Sequence, residues 1–503
     1  MVAGKKTTFA CIIMIAVLVF VASTNGAISR DMLFFADALY LPLLFRDIFE
    51  LGGSLSDWYQ TPAPYWFPDY LLFIPSALLA KTNYIRIAIM AVVQTMSSVF
   101  ACWFLARQLK FKQPLLAGTF VAALLVLAGL GSQWPAVIVF LSAHHYSAIL
   151  MTLIILGLII SLYPVRHHYR KNTLPLTIVF LLATATIASD RIIIVQGILP
   201  ILGALAIQGF FDEGYSVKKT WKSIWAFAVL LVAGVMLGRD VAWHFRRNHP
   251  GVEPSINLAR VGESFSEVLK TLGNIGQSDP VAACMAIFGA LICFASIRKI
   301  WRQKDGVSWK LFILAAMLSA FKSLAVFILT AEPAAVPRYY SAVFLMPVIA
   351  GGFLLFDRLS ARPKYQYLAV AMVYVLILIR IEPWSRKISL SYTPDHVTCV
   401  EREVTVRGLD HGIADYFDSM VIMGMTDNRI NMAHFTPGPE LKPYRWIATE
   451  RQIKGTYDFA AVSEDPKFRL MLPESLGTPR EVIQCGKLEL RFFGKNGLKL
   501  EGL

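Results

Sequence analysis

The segment SRDMLFFADALYLPLLFRDIFELGGSLSDWYQTPAPYWFPDYLLF, residues 29–73, separates the first long apolar run of the chain from the second. It is rich in carboxylates, aromatic rings and prolines, whereas the sequence on either side is mostly apolar. The carboxylates are those of Asp31, Asp37, Asp47, Glu50, Asp57 and Asp69. Because ionised groups are costly next to hydrocarbon, they are usually kept there for a function. The segment therefore predicts a loop at a membrane surface that carries chemistry.

The composition predicts a polytopic membrane protein. Hydrophobic residues make up 56% of the chain and charged residues only 16%, whereas soluble domains average about 45–50% and about 25%. We expect about eleven transmembrane helices, since a helix needs roughly 17–25 apolar residues to cross a bilayer. The apolar runs are 8–28, 84–106, 115–131, 146–163, 174–188, 192–210, 223–242, 280–297, 311–331, 340–356 and 367–382. The shorter run 69–80 predicts an interfacial or re-entrant piece.

Basic residues fall in every second short loop, which predicts the orientation of the helices. Because Lys and Arg are retained on the cytoplasmic side, the N-terminus should be cytoplasmic and residues 29–83 should form an external loop. The net charge of +14 is then mainly an orientation signal, and we expect no nucleic-acid partner. Lys5, Lys6 and the first apolar run also resemble a signal peptide, but the run is long enough to anchor the chain.

The chain divides into a transmembrane unit, 1–383, and a more polar region, 384–503, which the same orientation places on the external, periplasmic or extracytoplasmic side. The polar region should be a soluble domain of mixed α and β structure, with turn chemistry at TPGPELKP and a hairpin at Gly486-Lys487. Its two cysteines, Cys399 and Cys485, should form a disulfide, because an oxidising compartment permits one there.

Carboxylates, isolated cations and an apolar wall on one face fit glycosyl transfer from a lipid-linked donor. Such a reaction needs a carboxylate to take the proton of the acceptor hydroxyl, and cations to stabilise the departing phosphate. Asp37 is the preferred general base and Asp31 its substitute. Arg338 and Arg191 are candidates for the phosphate, because Arg suits bidentate phosphate contact. Alternatively, the two carboxylates could be solvated loop residues or helix caps. The two arginines could instead contact lipid headgroups or pair locally, Arg338 with Glu332 and Arg191 with Asp190.

Other residues on this face are candidates for substrate binding. They are His144 and His145 at the head of one span, Tyr339 beside Arg338, and Tyr40, Trp58 and Asp69 in the first loop. Aromatic rings offer flat faces to sugars and also sit well at a membrane interface, whereas Asp69 could simply begin a helix. In the C-terminal domain, an acceptor surface or a docking surface is predicted at Tyr416, Asp418, Tyr444, Arg445 and Trp446.

The first loop resembles one family of membrane enzymes. The predicted chain has an N-terminal span, a long external loop containing Asp37-Ala38-Leu39-Tyr40, many further spans and an external C-terminal domain. In these features it resembles the GT-C superfamily of glycosyltransferases. The combination DALYLPLLFRD, a later Trp and PAPYWFPD in this loop also resembles uncharacterised bacterial members and O-antigen-type glucosyltransferases. The resemblance implies a catalytic carboxylate in this loop, a polyprenyl-phosphate sugar donor and inversion at the anomeric carbon. Ala38 replaces the Glu that many members have, and a lone Asp seldom holds a divalent cation, so a metal cofactor is not favoured.

These features predict a glycosyltransferase in the bacterial inner membrane. The enzyme would take part in the biosynthesis of cell-envelope glycans such as lipopolysaccharide. The acceptor would be a cell-surface glycan, a glycolipid or a protein. The alternatives are a glycolipid flippase or transporter, an O-antigen polymerase, and an external binding protein on a membrane anchor. The sequence contains no P-loop, which argues against ATP-driven transport by this chain alone, and no clear zinc-ligand spacing.

Overall fold

The computed structural model describes residues 2–163, 169–211, 217–245, 256–302, 306–330, 336–381, 387–438, 441–453, 455–473 and 476–500. Helices dominate the chain up to residue 381. They are α1 Val2–Asn25, α2 Arg30–Leu33, α3 Tyr40–Glu50, α4 Leu71–Leu79, α5 Asn83–Gln108, α6 Pro114–Gly129, α7 Tyr146–Leu162, α8 Tyr169–Ser189, α9 Leu199–Phe211, α10 Val217–Phe245, α11 Val261–Ser278, α12 Pro280–Arg302, α13 Val307–Thr330, α14 Ser341–Arg358 and α15 Pro363–Arg380.

Six helices in the described part of the chain are long and apolar enough to cross a membrane. They contain Lys6–Asn25, Asn83–Gln108, Ile224–Ala242, Pro280–Trp301, Val307–Thr330 and Pro337–Ala361. In the described residues, each of the eleven predicted runs lies mostly on a helix. However, α6, α7 and the apolar parts of α8 and α9 are shorter than the six spanning candidates, and α15 is not among the six. The protein is therefore a helical membrane protein, while the number eleven stays a prediction.

Small residues allow some of these helices to pack closely. Gly289 of α12 lies against the backbone of Pro347 in α14, and Gly351 of α14 lies against Gly289 in turn. A Cβ atom at Gly118 of α6 would lie 2.7 Å from the Cα atom of Trp103 in α5. In lipid there is no hydrophobic driving force that brings helices together. Close backbone approach through glycine is therefore a common way for membrane helices to associate.

The chain beyond residue 387 forms a small domain around a mixed sheet. Its helices are α16 Asp395–Val406 and α17 Tyr416–Met425, and its main strands are β2 His411–Ala414, β3 Asn431–His434, β6 Phe459–Ser463, β7 Glu481–Cys485 and β8 Leu488–Phe492. Two short strands, β5 Thr456–Tyr457 and β9 Leu498–Lys499, pair separately. The strand order is β3-β2-β6-β8-β7, with β3, β2 and β6 parallel and β6, β8 and β7 antiparallel. The turn between β7 and β8 is Gly486-Lys487, where the sequence predicts a hairpin. A disulfide joins Cys399 of α16 to Cys485 of β7.

The first loop and the C-terminal domain are joined by a seam. Strand β1, Trp58–Tyr59, pairs antiparallel with β4, Ala448–Thr449. Beside this pair, the Asp47 carboxylate accepts hydrogen bonds from Trp58 Nε1 at 2.8 Å and from Arg451 Nη2 at 2.6 Å. Farther along, the backbone N–H of Asn83 donates to Asp427 Oδ1 at 2.8 Å. The loop and the domain therefore lie on the same side of the helices.

Candidate functional site

Asp37 lies where the first loop, the start of α14 and the C-terminal domain meet. A 3₁₀ turn, Ala36–Leu39, holds it between α2 and α3. Arg338, in the 3₁₀ turn Pro337–Tyr340 that leads into α14, donates from Nη1 to Asp37 Oδ2 at 2.8 Å. The hydroxyl of Tyr416 donates to the other oxygen, Oδ1, at 2.5 Å. Three segments that are far apart in sequence thus converge on one carboxylate.

A cavity of about 510 Å³ opens beside this carboxylate. Its wall is mainly aromatic, and its cations are Arg338 and Lys467. Tyr444 and Trp446 stack with ring centroids 6.1 Å apart and planes inclined by 12°. The remaining lining residues are Phe35, Asp415, Tyr416, Phe417, Phe435, Thr436, Pro437 and Phe468. Flat apolar faces with a few polar groups are the usual lining of a small-molecule site, and stacked rings suit a sugar.

Tyr416 is held as a neutral hydrogen-bond donor. Burial, followed by the negative charge of Asp37, raises the pKa of the Tyr416 phenol well above its usual range. The side chain of Trp446 also hydrogen-bonds Tyr416. Since the phenol keeps its proton, it donates a hydrogen bond to Asp37 Oδ1 and fixes the orientation of the carboxylate.

The residue before Tyr416 brings a second carboxyl group to the cavity. Asp415 caps α17, because its Oδ1 accepts the backbone N–H of Phe417 at 2.8 Å. Burial and the neighbouring Asp418 raise the pKa of Asp415 above its usual range. Asp418 itself forms an ion pair with Lys487, 2.8 Å between Oδ1 and Nζ. Asp415 is not among the residues predicted from the sequence, although an Asp directly before a helix is a recognisable cap signal.

His144 is buried close to the site and is neutral. Its Nδ1 lies 2.6 Å from the carbonyl oxygen of Ser142, so Nδ1 carries the hydrogen and Nε2 is an acceptor. Burial lowers the pKa of His144 to about 4, against the opposing effect of Asp37. Among the described residues, Nε2 has no hydrogen-bond partner. The ring packs against Trp134 and Phe35, with centroids 5.4 and 6.2 Å away.

His145 belongs to a separate buried chain of polar groups. It has a positive φ of 68° at the N-cap of α7, and its Nδ1 lies 2.8 Å from Asp190 Oδ2. Its Nε2 lies 3.3 Å from the hydroxyl of Tyr65. The ring also lies 5.5 Å from that of Tyr339. Asp190 therefore binds an imidazole, and Arg191, which follows it, is half-buried.

Arg338 lies at the start of α14, next to Asp37 and Tyr339. Its guanidinium pairs with the Asp37 carboxylate and lies 5.4 Å from the centroid of the Tyr339 ring. Glu332, the predicted local partner, lies outside the described residues. Asp31, the substitute base, is exposed on α2 and does not line the cavity with Asp37.

Three first-loop candidates are buried in the protein and do not line the cavity. The Asp69 carboxylate accepts the backbone N–H of Ala143 at 3.3 Å, and burial raises its pKa to about 6. The hydroxyl of Tyr40 lies 3.0 Å from that of Tyr70, and the indole of Trp58 is bound to Asp47 in the seam. These contacts hold the loop in shape, which supports the position of Asp37.

One group of metal-type ligands occurs in the described residues, away from Asp37. Atoms of Asp410, His411 and Asp458 lie within 4.8 Å of one another. Asp458 already accepts the backbone N–H groups of Asp410, His411 and Asn496, at 3.2, 3.2 and 2.8 Å. Its oxygens are thus engaged by the fold, and the group is not a convincing metal site.

Comparison of the chain with models of known protein families finds no match, and neither does comparison with curated proteins. The functional interpretation therefore depends on the geometry around Asp37.

Proposed function

We propose that the protein is an inverting glycosyltransferase that takes a sugar from a polyprenyl-phosphate donor at a membrane surface. The acceptor would be a cell-surface glycan, a glycolipid or a protein. The observation that supports this proposal best is the Asp37–Arg338 pair at the edge of an aromatic cavity, on the side of the helices that carries the C-terminal domain. A base, a phosphate-binding cation and a sugar-sized space are thereby adjacent.

In the proposed reaction the donor phosphate takes Arg338 away from Asp37. Asp37 then accepts the proton of an acceptor hydroxyl while that oxygen forms a bond to the anomeric carbon. The bond between the anomeric carbon and the phosphate oxygen breaks, and its electron pair leaves with the polyprenyl phosphate. Arg338 stabilises the charge that grows on this leaving group. Tyr416 keeps Asp37 oriented throughout, since its hydroxyl binds the carboxylate oxygen that Arg338 does not.

The remaining features fit the two substrates. The stacked rings of Tyr444 and Trp446 would hold a sugar ring, and Lys467 adds a positive charge at the same cavity. The surrounding apolar helices would accommodate the polyprenyl tail. We further propose that this face is the extracytoplasmic side of a bacterial inner membrane, in agreement with the basic loops at the other ends of the helices. No step in this scheme uses a metal ion.

The test is turnover by the purified protein in lipid nanodiscs with a panel of polyprenyl-phosphate sugars and surface-glycan acceptors. Asp37→Asn should bind the donor but lose transfer by roughly 10²- to 10⁴-fold, the usual contribution of a general base. Asp31→Asn is the matched control, because Asp31 is exposed in the same loop outside the cavity, and it should retain activity. Full turnover by Asp37→Asn would contradict the proposal. Movement of the glycolipid across the membrane without transfer would instead indicate a flippase.

A further inference from the structure

Helix α11, Val261–Ser278, lies between α10 and α12 in the chain and is not among the six described helices that are long and apolar enough to cross a membrane. Just before it, the backbone N–H of Asn257 donates to the carbonyl of Leu329, at the end of α13. Just after it, Asp279 accepts a hydrogen bond from Ser132, in the loop that leads to His144. Both anchoring points lie at the ends of the helices that face Asp37 and the C-terminal domain. The two ends of α11 are therefore on the same side of the bundle.

The side chains of α11 fall into three sectors around its axis. The buried sector packs against α13 and Tyr340 and consists of Ser264, Val268, Thr271 and Ile275. At about 100° per residue, the next sector holds Phe265 and Leu269, which are 50% and 53% exposed. The third sector, across the helix axis from Phe265 and Leu269, is polar and exposed. It contains Glu263, Ser266, Lys270, Asn274 and Gln277.

The exposed apolar sector has neighbours of the same character. Immediately before α11, Ile256 and Leu258 are 71% and 72% exposed. Immediately after it, α12 exposes the apolar side chains of Ile287 and Leu291, as a lipid-facing helix would. In water, this much exposed hydrocarbon on one short segment would be unfavourable, because each such side chain gains from leaving water. A surface that is apolar on one side and charged on the other suits a bilayer interface.

We infer that α11 is an interfacial helix, which lies in the membrane surface on the side of the C-terminal domain. Phe265 and Leu269 enter the acyl-chain boundary of that leaflet, and Ser266 and Lys270 face the water. Because Thr271 hydrogen-bonds Tyr340, two residues beyond Arg338, α11 also fixes the depth of that arginine relative to the headgroups. This inference is independent of the glycosyltransferase proposal, since it concerns only how the protein sits in lipid.

Spin labels at single cysteines test the placement. The exposed Cys284 and the half-buried Cys11 would first be replaced by Ala, while the buried Cys102 and Cys293 and the disulfide are kept. Labels are then attached at Phe265→Cys and Leu269→Cys on the apolar sector, and at Ser266→Cys and Lys270→Cys on the polar sector. The full-length protein is reconstituted in nanodiscs of phosphatidylcholine and phosphatidylglycerol. Collision rates with oxygen, which partitions into lipid, and with a water-soluble nickel chelate are measured by power saturation.

The inference predicts a clear split between the two sectors. Labels at 265 and 269 should collide more often with oxygen than with nickel, whereas labels at 266 and 270 should show the reverse. Nickel-dominated collisions at all four positions would place α11 in water and overturn the inference. Low collision rates with both reagents at 265 and 269 would also overturn it, because that result means that protein covers the sector. Each variant must elute as a single species before labelling, so that misfolding is not read as exposure.

Discussion

Removal of the Asp47 carboxylate should loosen the seam between the first loop and the C-terminal domain. Asp47 is 6% exposed and accepts the buried indole N–H of Trp58. In Asp47→Ala this donor loses its partner, which costs about 1–3 kcal/mol. The ion pair with Arg451 adds little, roughly 1 kcal/mol or less, because the Arg451 side chain is 45% exposed. We therefore expect a loss of about 2–3 kcal/mol in the free energy that opposes local opening.

Hydrogen exchange at the paired strands measures this loss directly. Since every 1.4 kcal/mol is tenfold, protection of the amides at 58–59 and 448–450 should fall by roughly 30- to 150-fold. Asp47→Asn keeps an oxygen for the Trp58 indole and loses only the charge, so its effect should stay below about tenfold. Asp57→Ala, a change of the same type in the same loop, should have little effect on the seam.

The reasoning would be refuted if Asp47→Ala left protection at both strands unchanged. It would equally be refuted if Asp57→Ala lowered protection by as much as Asp47→Ala, since the effect would then not depend on the Trp58 contact. A fall in protection throughout the C-terminal domain would indicate general unfolding, so amides of β8, Leu488–Phe492, serve as the internal reference.

Three further perturbations have expected outcomes. Tyr416→Phe removes one hydrogen bond to the Asp37 carboxylate, worth about 1.5–3 kcal/mol, so kcat/KM for glycosyl transfer should fall roughly 10- to 150-fold while donor binding, measured separately, is retained. Burial raises the pKa of Asp69 to about 6. Between the ordinary carboxyl pKa and pH 6, Asp69 is therefore protonated mainly in the folded protein, and the free energy of unfolding falls as pH rises through this range. Asp69→Asn should therefore gain about 3 kcal/mol relative to wild type between about pH 4 and pH 7.5, as measured by unfolding in detergent. Replacing both Cys399 and Cys485 by Ala removes a cross-link over 86 residues and should destabilise the C-terminal domain by about 4 kcal/mol, which a lower unfolding temperature on calorimetry would confirm.

Local patterns in the sequence predict the helical part of the fold well. Runs of apolar residues depend only on neighbours in the chain, so in the described residues each of the eleven runs falls mostly on a helix. The apolar runs do not predict helix α11, because its sequence mixes Glu263, Lys270 and Asn274 with apolar residues. It therefore contains no continuous apolar run long enough to span a membrane. Its role depends on where Asn257 and Asp279 are anchored, which no local pattern reveals.

Two central residues of the candidate site stand out in the sequence, but their arrangement does not. Asp37 and Arg338 each stand out in the sequence, because each is a charge where the surrounding chain is apolar. Their contact joins positions 301 residues apart, and that of Asp37 with Tyr416 joins positions 379 apart. Such pairs arise from packing of the whole chain. For the same reason, the sequence suggests Trp58 as a sugar-binding ring, whereas in the structure its indole N–H donates to Asp47 in the seam.

The most direct test of the proposed mechanism is the position of a bound donor. A cryo-electron microscopy structure of Asp37→Asn with a polyprenyl-phosphate sugar should place a phosphate oxygen within about 3 Å of the Arg338 guanidinium. The sugar should lie in the cavity next to Tyr444 and Trp446, with its anomeric carbon facing Asn at position 37. A donor bound elsewhere, with Arg338 still paired to residue 37 and the cavity unfilled, would contradict the account.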